Sequence, residues 1–253
     1  MESPFVTGMV AGALEVHAET PAIAGVIAGA VGNILSWRPA DGLFRFFRHG
    51  IDPDLDDIAL LHTVLLRHRP ASFDPAAVAA LLEGLVGADG RYPVWVRPAS
   101  AQNEFDPCVQ ANVVNYLCRC GRRPDLGVLR IAWGLWREDA ATLHYESPFT
   151  FPYFLARLPP AARRSVVAAN PRAVAGLSRS RPGATALDQA FQLAALRRLG
   201  GPARADLVER LLAGQGADGA WPAIGAFGAL NFWGSSALTT ALAAEALALA
   251  GKG

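Results

Sequence analysis

The chain has little to cross-link it, almost no lysine and almost no net charge. Its 253 residues include three cysteines, Cys108, Cys118 and Cys120. These are too few to staple a chain of this length, and the Cys118-Arg119-Cys120 spacing matches none of the common zinc patterns, so a reducing, cytoplasmic setting is expected. Lys252 is the single lysine, and 23 basic residues face 22 acidic ones, a formal charge of +1. With no basic field and no Lys/Arg run, nucleic acid is excluded as a primary partner. The first residues carry Glu2 and no early Lys or Arg, unlike the charged leader of a signal peptide. Long hydrophobic runs are also scarce. Thr20 to Trp37 is uncharged, but Pro21, Gly25, Gly29, Gly32, Asn33 and Ser36 interrupt it, short of the roughly 20 strongly apolar residues of a spanning helix. The stretch reads as a buried helix, with peripheral contact to one membrane face left open by the apolar composition.

What is plentiful is apolar, helix-forming sequence. Hydrophobic residues make up 52% of the chain and charged residues 18%, which rules out disorder and is enough for a sizeable core. Ala, Leu and Arg dominate segments of helical periodicity. Asp125 to Glu138 and Ala203 to Gly214 have one apolar and one charged face, as outer helices should. Six others are apolar nearly all round and need cover on every side: Pro4 to Val16, Asp54 to Leu66, Asp106 to Leu117, Ser147 to Leu158, Thr185 to Leu199 and Ser235 to Ala250. Each opens on a helix-start signal such as Ser-Pro, Asp-Pro or Asp-Leu-Asp-Asp, and the starts recur about every 40 to 50 residues, a helical-hairpin period. The expected fold is all-α: residues 1–253 as one (α/α)6 toroid, with about six outer helices and the inner-helix N-termini gathered at one end.

Three motifs bear on chemistry. Asp54-Leu55-Asp56-Asp57 is a D-x-D-D opening an apolar helix. Gln215-Gly216-Ala217-Asp218-Gly219-Ala220-Trp221 is a Q-x-x-D-G-x-W, followed by Phe232-Trp233-Gly234-Ser235 ahead of the last apolar helix. A weaker copy, Asp89-Gly90-Arg91-Tyr92-Pro93-Val94-Trp95, precedes Asp106. Together these QW-type turns and the acid motif resemble the terpene-cyclase and prenyltransferase superfamily, in particular the class II terpene cyclases and squalene-hopene cyclases. Two departures stand out: Ile58 follows the motif where threonine is usual, and the second barrel domain of the large cyclases is absent.

The resemblance implies protonation-initiated cyclisation of a C15 or C20 isoprenoid, either a diphosphate, an alcohol or a prenylated aromatic, with Asp56 as general acid and Asp54 and Asp57 supporting it. Protonation itself needs no cofactor; Mg²⁺ enters if the substrate is a diphosphate, for which Arg45, Arg48, Arg91 or Arg97 are candidate partners. A partner domain or a homodimer would help close a single barrel. Elementary chemistry agrees. An alkene is a very weak base, so its proton donor must be a carboxyl kept neutral, which crowding by Asp52, Asp54 and Asp57 favours. The plainer alternative is that Asp54 or Asp57 merely caps the helix.

Carbocations also need apolar walls with π faces. Aromatics gather at the expected helix starts and their lead-ins, and Trp37, Trp95, Phe149, Tyr153 and Trp233 are the expected substrate walls, alongside Phe44, Phe46, Phe47, Phe105, Tyr145, Phe151, Phe154 and Phe232. Asp106, Asn112 and Asn115 lie on or beside an apolar inner helix, where buried polar groups must be satisfied. Asn112 is the candidate to orient the acid or a head group, and His62 a weaker one. A rival reading from the same superfamily places zinc on Asp106, Cys108 and His144, as in protein prenyltransferases. A third makes the toroid a non-catalytic isoprenoid- or partner-binding module.

Overall fold

A computed structural model of the chain describes residues 3–47, 50–97, 103–137, 142–227 and 233–251. Among them are twelve α-helices and no strands, only isolated bridges. Six inner helices are α1 (Pro4–Leu14), α3 (Leu55–His68), α5 (Pro107–Arg119), α7 (Thr150–Ala156), α10 (Ala186–Arg198) and α12 (Ser236–Gly251). The outer ones are α2 (Pro21–Trp37), α4 (Pro75–Gly84), α6 (Gly127–Leu135), α8 (Pro160–Ala169), α9 (Pro171–Leu177) and α11 (Ala205–Ala213). Each inner helix packs against the next, and α12 packs back on α1, which closes the ring. The fold is thus an (α/α)6 barrel.

The inner helices form where apolar, strong helix formers follow a cap. Asp54, Asp106 and Asp74 accept amide hydrogen bonds at the starts of α3, α5 and α4, and Thr185 with Asp188 forms a reciprocal capping box on α10. Leu187 to Leu196 of α10 are all buried, the expected state of a helix without a wet face. α7 starts at Thr150, three residues beyond the Ser147-Pro148 signal, because Ser147 instead closes a turn whose carbonyl accepts from the Thr150 amide at 3.2 Å.

α2 corrects an expectation. It is an outer helix, and only Ile27, Val31 and Ile34 are buried. These three fall on one stripe at helical spacing, and half of the rest is Ala and Gly, small side chains whose exposure leaves little apolar area in water. No described helix is long and apolar enough to cross a membrane.

The QW-type turn fastens two elements. Gln215 donates to the Gly219 carbonyl at 2.7 Å, the Trp221 indole to the Leu211 carbonyl at the end of α11 at 2.7 Å, and the Trp221 amide to Thr240 Oγ1 on α12 at 3.0 Å. The earlier copy has the same logic, but the ring position is taken by Tyr92, three residues after Asp89 as Trp221 is after Asp218, and not by Trp95, three residues further on. Its amide partner is Tyr92, which exchanges hydrogen bonds with the Gln110 side chain on α5 at 2.8 and 2.7 Å. Tyr92 therefore plays the part of Trp221, and Trp95 is released for another role.

Candidate active site

The lead-in loops pair with one another across the inner-helix N-terminal end. The Leu55 amide donates to the Val94 carbonyl at 2.8 Å and the Val96 amide to the Pro53 carbonyl at 2.8 Å, which sets Trp95 beside Asp54. Phe227 bridges to both Tyr145 and Trp233. A Cβ on Gly234 would lie 1.8 Å from the Ile224 carbonyl oxygen, so only glycine lets this loop close behind Trp233.

These contacts shape a half-open cavity of about 200 Å³. Its walls are mainly rings, among them those of Phe5, Trp95, Tyr145, Phe227 and Trp233, and, Tyr145 aside, its charged or titratable lining is the acid motif Asp54, Asp56 and Asp57 together with His144. Phe227 meets Phe5 edge-on at 5.5 Å between centroids and Tyr145 at 5.4 Å.

All three carboxyls are buried, with Asp56 7% exposed. Asp54 Oδ1 accepts the Asp57 amide at 2.7 Å, so it does cap α3. Asp56 sits two residues into the helix. Its Oδ1 accepts from Asn112 Nδ2 at 2.6 Å, and its Oδ2 accepts from the Tyr145 hydroxyl. Burial, reinforced by the charge of Asp54 and opposed by the Asn112 and Tyr145 hydrogen bonds, pushes the Asp56 carboxyl up to about 8. Burial also raises Asp54 and Asp57, and Asp57 Oδ1 has no hydrogen-bond partner among the described residues. A carboxyl held neutral at pH 7 against an aromatic-lined hollow can give a proton to a weak base there.

Not every expected residue reaches this cavity. Trp37 ends α2 outside it; Phe149 packs toward Trp136, 6.2 Å between centroids; and Tyr153, one turn along α7, donates to Glu245 at 2.7 Å near the opposite end of the barrel. α7 begins late and turns their rings away, while Tyr145 in the preceding loop reaches in. Asn115 accepts from Arg119 at 3.0 Å, toward that far end. His62 lies among Phe44, Phe73 and Tyr116, and burial lowers it to about 4. Phe232 and Arg48 fall outside the described residues. Arg45 pairs with Asp41, Arg91 with Asp89, and Arg97 with Asp52 at 2.7 Å while lying over Trp95. Sequence reasoning missed Phe5 and Phe227 as walls, and saw Tyr145 only as one aromatic among many.

The zinc triad does not assemble. Asp106 spends both oxygens on backbone amides, those of Cys108 at 2.7 Å and His144 at 3.2 Å, and the His144 ring turns to Glu104 at 3.4 Å. Among the described residues, no group of three or more His, Cys, Asp or Glu is placed to hold a metal ion.

A closed (α/α)6 barrel with an acid cavity at the inner-helix N-terminal end has the fold of the class II terpene cyclases. The type II terpene cyclase MstE from Scytonema aligns over 98% of this chain and 88% of its own, with a TM-score of 0.69 at 16% identity. A variant of MstE in complex with its substrate, geranylgeranyl dihydroxybenzoate, aligns with the same coverage of 98% and 88%, TM-score and identity. The ent-copalyl diphosphate synthase from Streptomyces platensis aligns over 98% of this chain at TM-score 0.64 and 16% identity, and this chain spans 50% of that one. No protein-family description matches the sequence, and no curated protein does.

Proposed function

We propose that this chain is a protonation-initiated terpene cyclase acting on a C15 or C20 isoprenoid, with Asp56 as the general acid. The observation that carries the reading is the Asp56 carboxyl, raised to about 8 and opening on an apolar, aromatic-walled cavity. The shared fold supports it.

Asn112 Nδ2 can only donate, so Oδ1 is the carbonyl oxygen of the neutral acid and the proton belongs on Oδ2. In the first step the Oδ2–H bond breaks as the π pair of the terminal alkene forms a new C–H bond, leaving a tertiary cation and the Asp56 carboxylate. The N-terminus of α3 and the two hydrogen bonds stabilise that carboxylate as it forms. The π pair of the next alkene then closes a ring onto the cation. Ring faces of Phe5, Trp95, Phe227 and Trp233 stabilise positive charge and offer no nucleophile. Loss of a proton from the last cation, or capture of water, ends the sequence, and a solvent proton restores Asp56. Asp54 acts by crowding: its negative charge keeps the proton on Asp56 until substrate fills the cavity, while Asp57, raised by burial and by both neighbouring carboxyls, stays neutral beside it.

The test is incubation with farnesyl and geranylgeranyl diphosphates, their alcohols and a prenylated hydroxybenzoate, with and without Mg²⁺, followed by product analysis. Cyclic products are expected, and Asp56→Asn should lower their formation by about 10²- to 10⁴-fold, the usual contribution of general acid catalysis. Equal cyclisation by Asp56→Asn would remove Asp56 from this role. Binding of these compounds without any cyclic product would leave the barrel as a binding module.

A further inference from the structure

The hollow space at this end of the barrel does not stop at the acid cavity. Phe46, Phe47 and Trp233 line that cavity on one side and a second hollow of about 360 Å³ on the other. The partition is a layer of rings: Phe46 and Phe47 meet at right angles with centroids 4.8 Å apart, and Phe47 meets Trp233 at 5.1 Å. At about 200 Å³ the acid cavity falls below the ~300–1,000 Å³ usual for small-molecule sites. The two spaces together fall within it.

Their polar groups differ. The acid cavity carries carboxyls, whereas the second hollow, bounded by α1, α2 and the start of α12 and lined also by Val6, Val10 and the shared rings, carries Ser3, Thr7, Asn33 and Ser235. Ser3 Oγ is shielded from solvent and has no hydrogen-bond partner among the described residues, an uncommon state for a hydroxyl unless a ligand completes it. Thr7 donates to the Ser3 carbonyl at 3.3 Å and keeps its acceptor capacity. Asn33 is exposed at the rim of the hollow. Both spaces are mainly apolar, but the polar groups of the outer one are neutral hydroxyls and an amide, while the inner one carries the acid motif. That is the polarity sequence of a prenyl chain with an oxygen at one end.

We infer that the second hollow is the subsite for the polar end of the substrate, and that it takes a neutral or singly charged oxygen head group, an alcohol, phenol or carboxyl. The hydrocarbon runs past Phe46, Phe47 and Trp233, whose contacting rings part to admit it, so that the far alkene meets Asp56. Among the described residues the polar side chains at this hollow are hydroxyls and an amide, which suit such a head group, whereas a diphosphate is commonly held by arginine forks or a metal ion. The identity of the tail rests on the cyclase reading; the assignment of the head group does not.

The experiment measures equilibrium binding in the Asp56→Asn background, where turnover does not deplete the ligand. The probes are geranylgeraniol, geranylgeranyl diphosphate with Mg²⁺, and the head-free hydrocarbon phytane, all at one detergent concentration. Geranylgeraniol is expected to bind more tightly than either of the others. Asn33→Leu, a change at an exposed position, is expected to weaken geranylgeraniol about 5- to 10-fold, the worth of one hydrogen bond, and to leave phytane unmoved. Ala237→Phe, which fills the hollow from the first turn of α12, is expected to weaken geranylgeraniol as well. Equal responses of alcohol and hydrocarbon to Asn33→Leu, or tighter binding of the diphosphate than of the alcohol, would overturn the assignment. Product formation by the parent chain judges the cyclase reading separately, so the head-group pattern can hold while that reading fails, and the reverse.

Discussion

Asn112 on α5 and Asp56 on α3 lie 56 residues apart in sequence and are joined by a 2.6 Å hydrogen bond from Nδ2 to Oδ1. Together with the Tyr145 hydroxyl on the opposite carboxyl oxygen, this bond pulls the Asp56 pKa down against burial and the charge of Asp54. Two long-range donors therefore set the strength of the acid.

Removing either donor should weaken that acid. Asn112→Leu and Tyr145→Phe are each expected to move the alkaline limb of the pH–rate profile above its parent position near pH 8, with cyclisation slower by about 10- to 100-fold as Brønsted behaviour requires. Tyr145→Phe keeps the ring against Phe227, so packing is largely conserved. A slower rate with the limb unmoved would mean that the two residues only shape the cavity.

Asp56→Asn should stabilise the chain while disabling it. The folded chain holds the Asp56 proton up to about pH 8, and the unfolded chain releases it near its ordinary value of 3.8. Between those values the folded state binds the extra proton, so stability falls as pH rises. Asparagine does not ionise and escapes this loss. The Asp56→Asn melting temperature should exceed that of the parent at pH 8, by an amount reflecting at most a few kcal/mol, and the gain should shrink toward pH 4. A difference independent of pH would contradict the raised carboxyl.

Gly234→Ala tests the loop that carries Trp233. The new methyl would collide with the Ile224 carbonyl oxygen, and the shift needed to relieve it breaks the pairing of Trp233 with Phe227. A cost of about 1–3 kcal/mol in urea unfolding is expected, together with weaker binding of any prenyl ligand.

At the other end of the barrel, the fully buried Glu245 on α12 accepts from Arg198 at 2.5 Å and from Tyr153 at 2.7 Å. Arg198 comes from α10 and Tyr153 from α7, so one carboxylate ties three inner helices. Glu245→Leu leaves Arg198 and Arg157 without this partner and is expected to cost about 3–5 kcal/mol. The fraction that remains folded should give the same product pattern as the parent, since Asp56 lies at the opposite end.

Sequence pattern alone carried the architecture and the place of the acidic motif at a helix start, and the reason is that both are written locally. A helix with apolar residues all round has to be enclosed, so six such helices at a hairpin period call for a ring whatever the details of packing. The D-x-D-D is contiguous, and a helix start presents it as a unit; here Asp54 caps α3 and at the same time crowds Asp56. Composition was a poorer guide for α2, where Ala and Gly score as apolar but bury little area.

The cavity walls were decided by folding. Which ring faces inward depends on where a helix begins and how a loop pairs, so the late start of α7 sent Phe149 and Tyr153 elsewhere and left Tyr145 on the acid. Phe227 owes its place to backbone pairing with Tyr145 and Trp233 across the barrel end. The strength of the acid is nonlocal in the same way. Crowding within the motif raises the Asp56 pKa, but burial and the bonds from Asn112 and Tyr145 that tune it exist only once α3, α5 and the loop before α7 come together. Coulomb and hydrogen-bond energies depend on distance in space, and sequence separation carries none of that information.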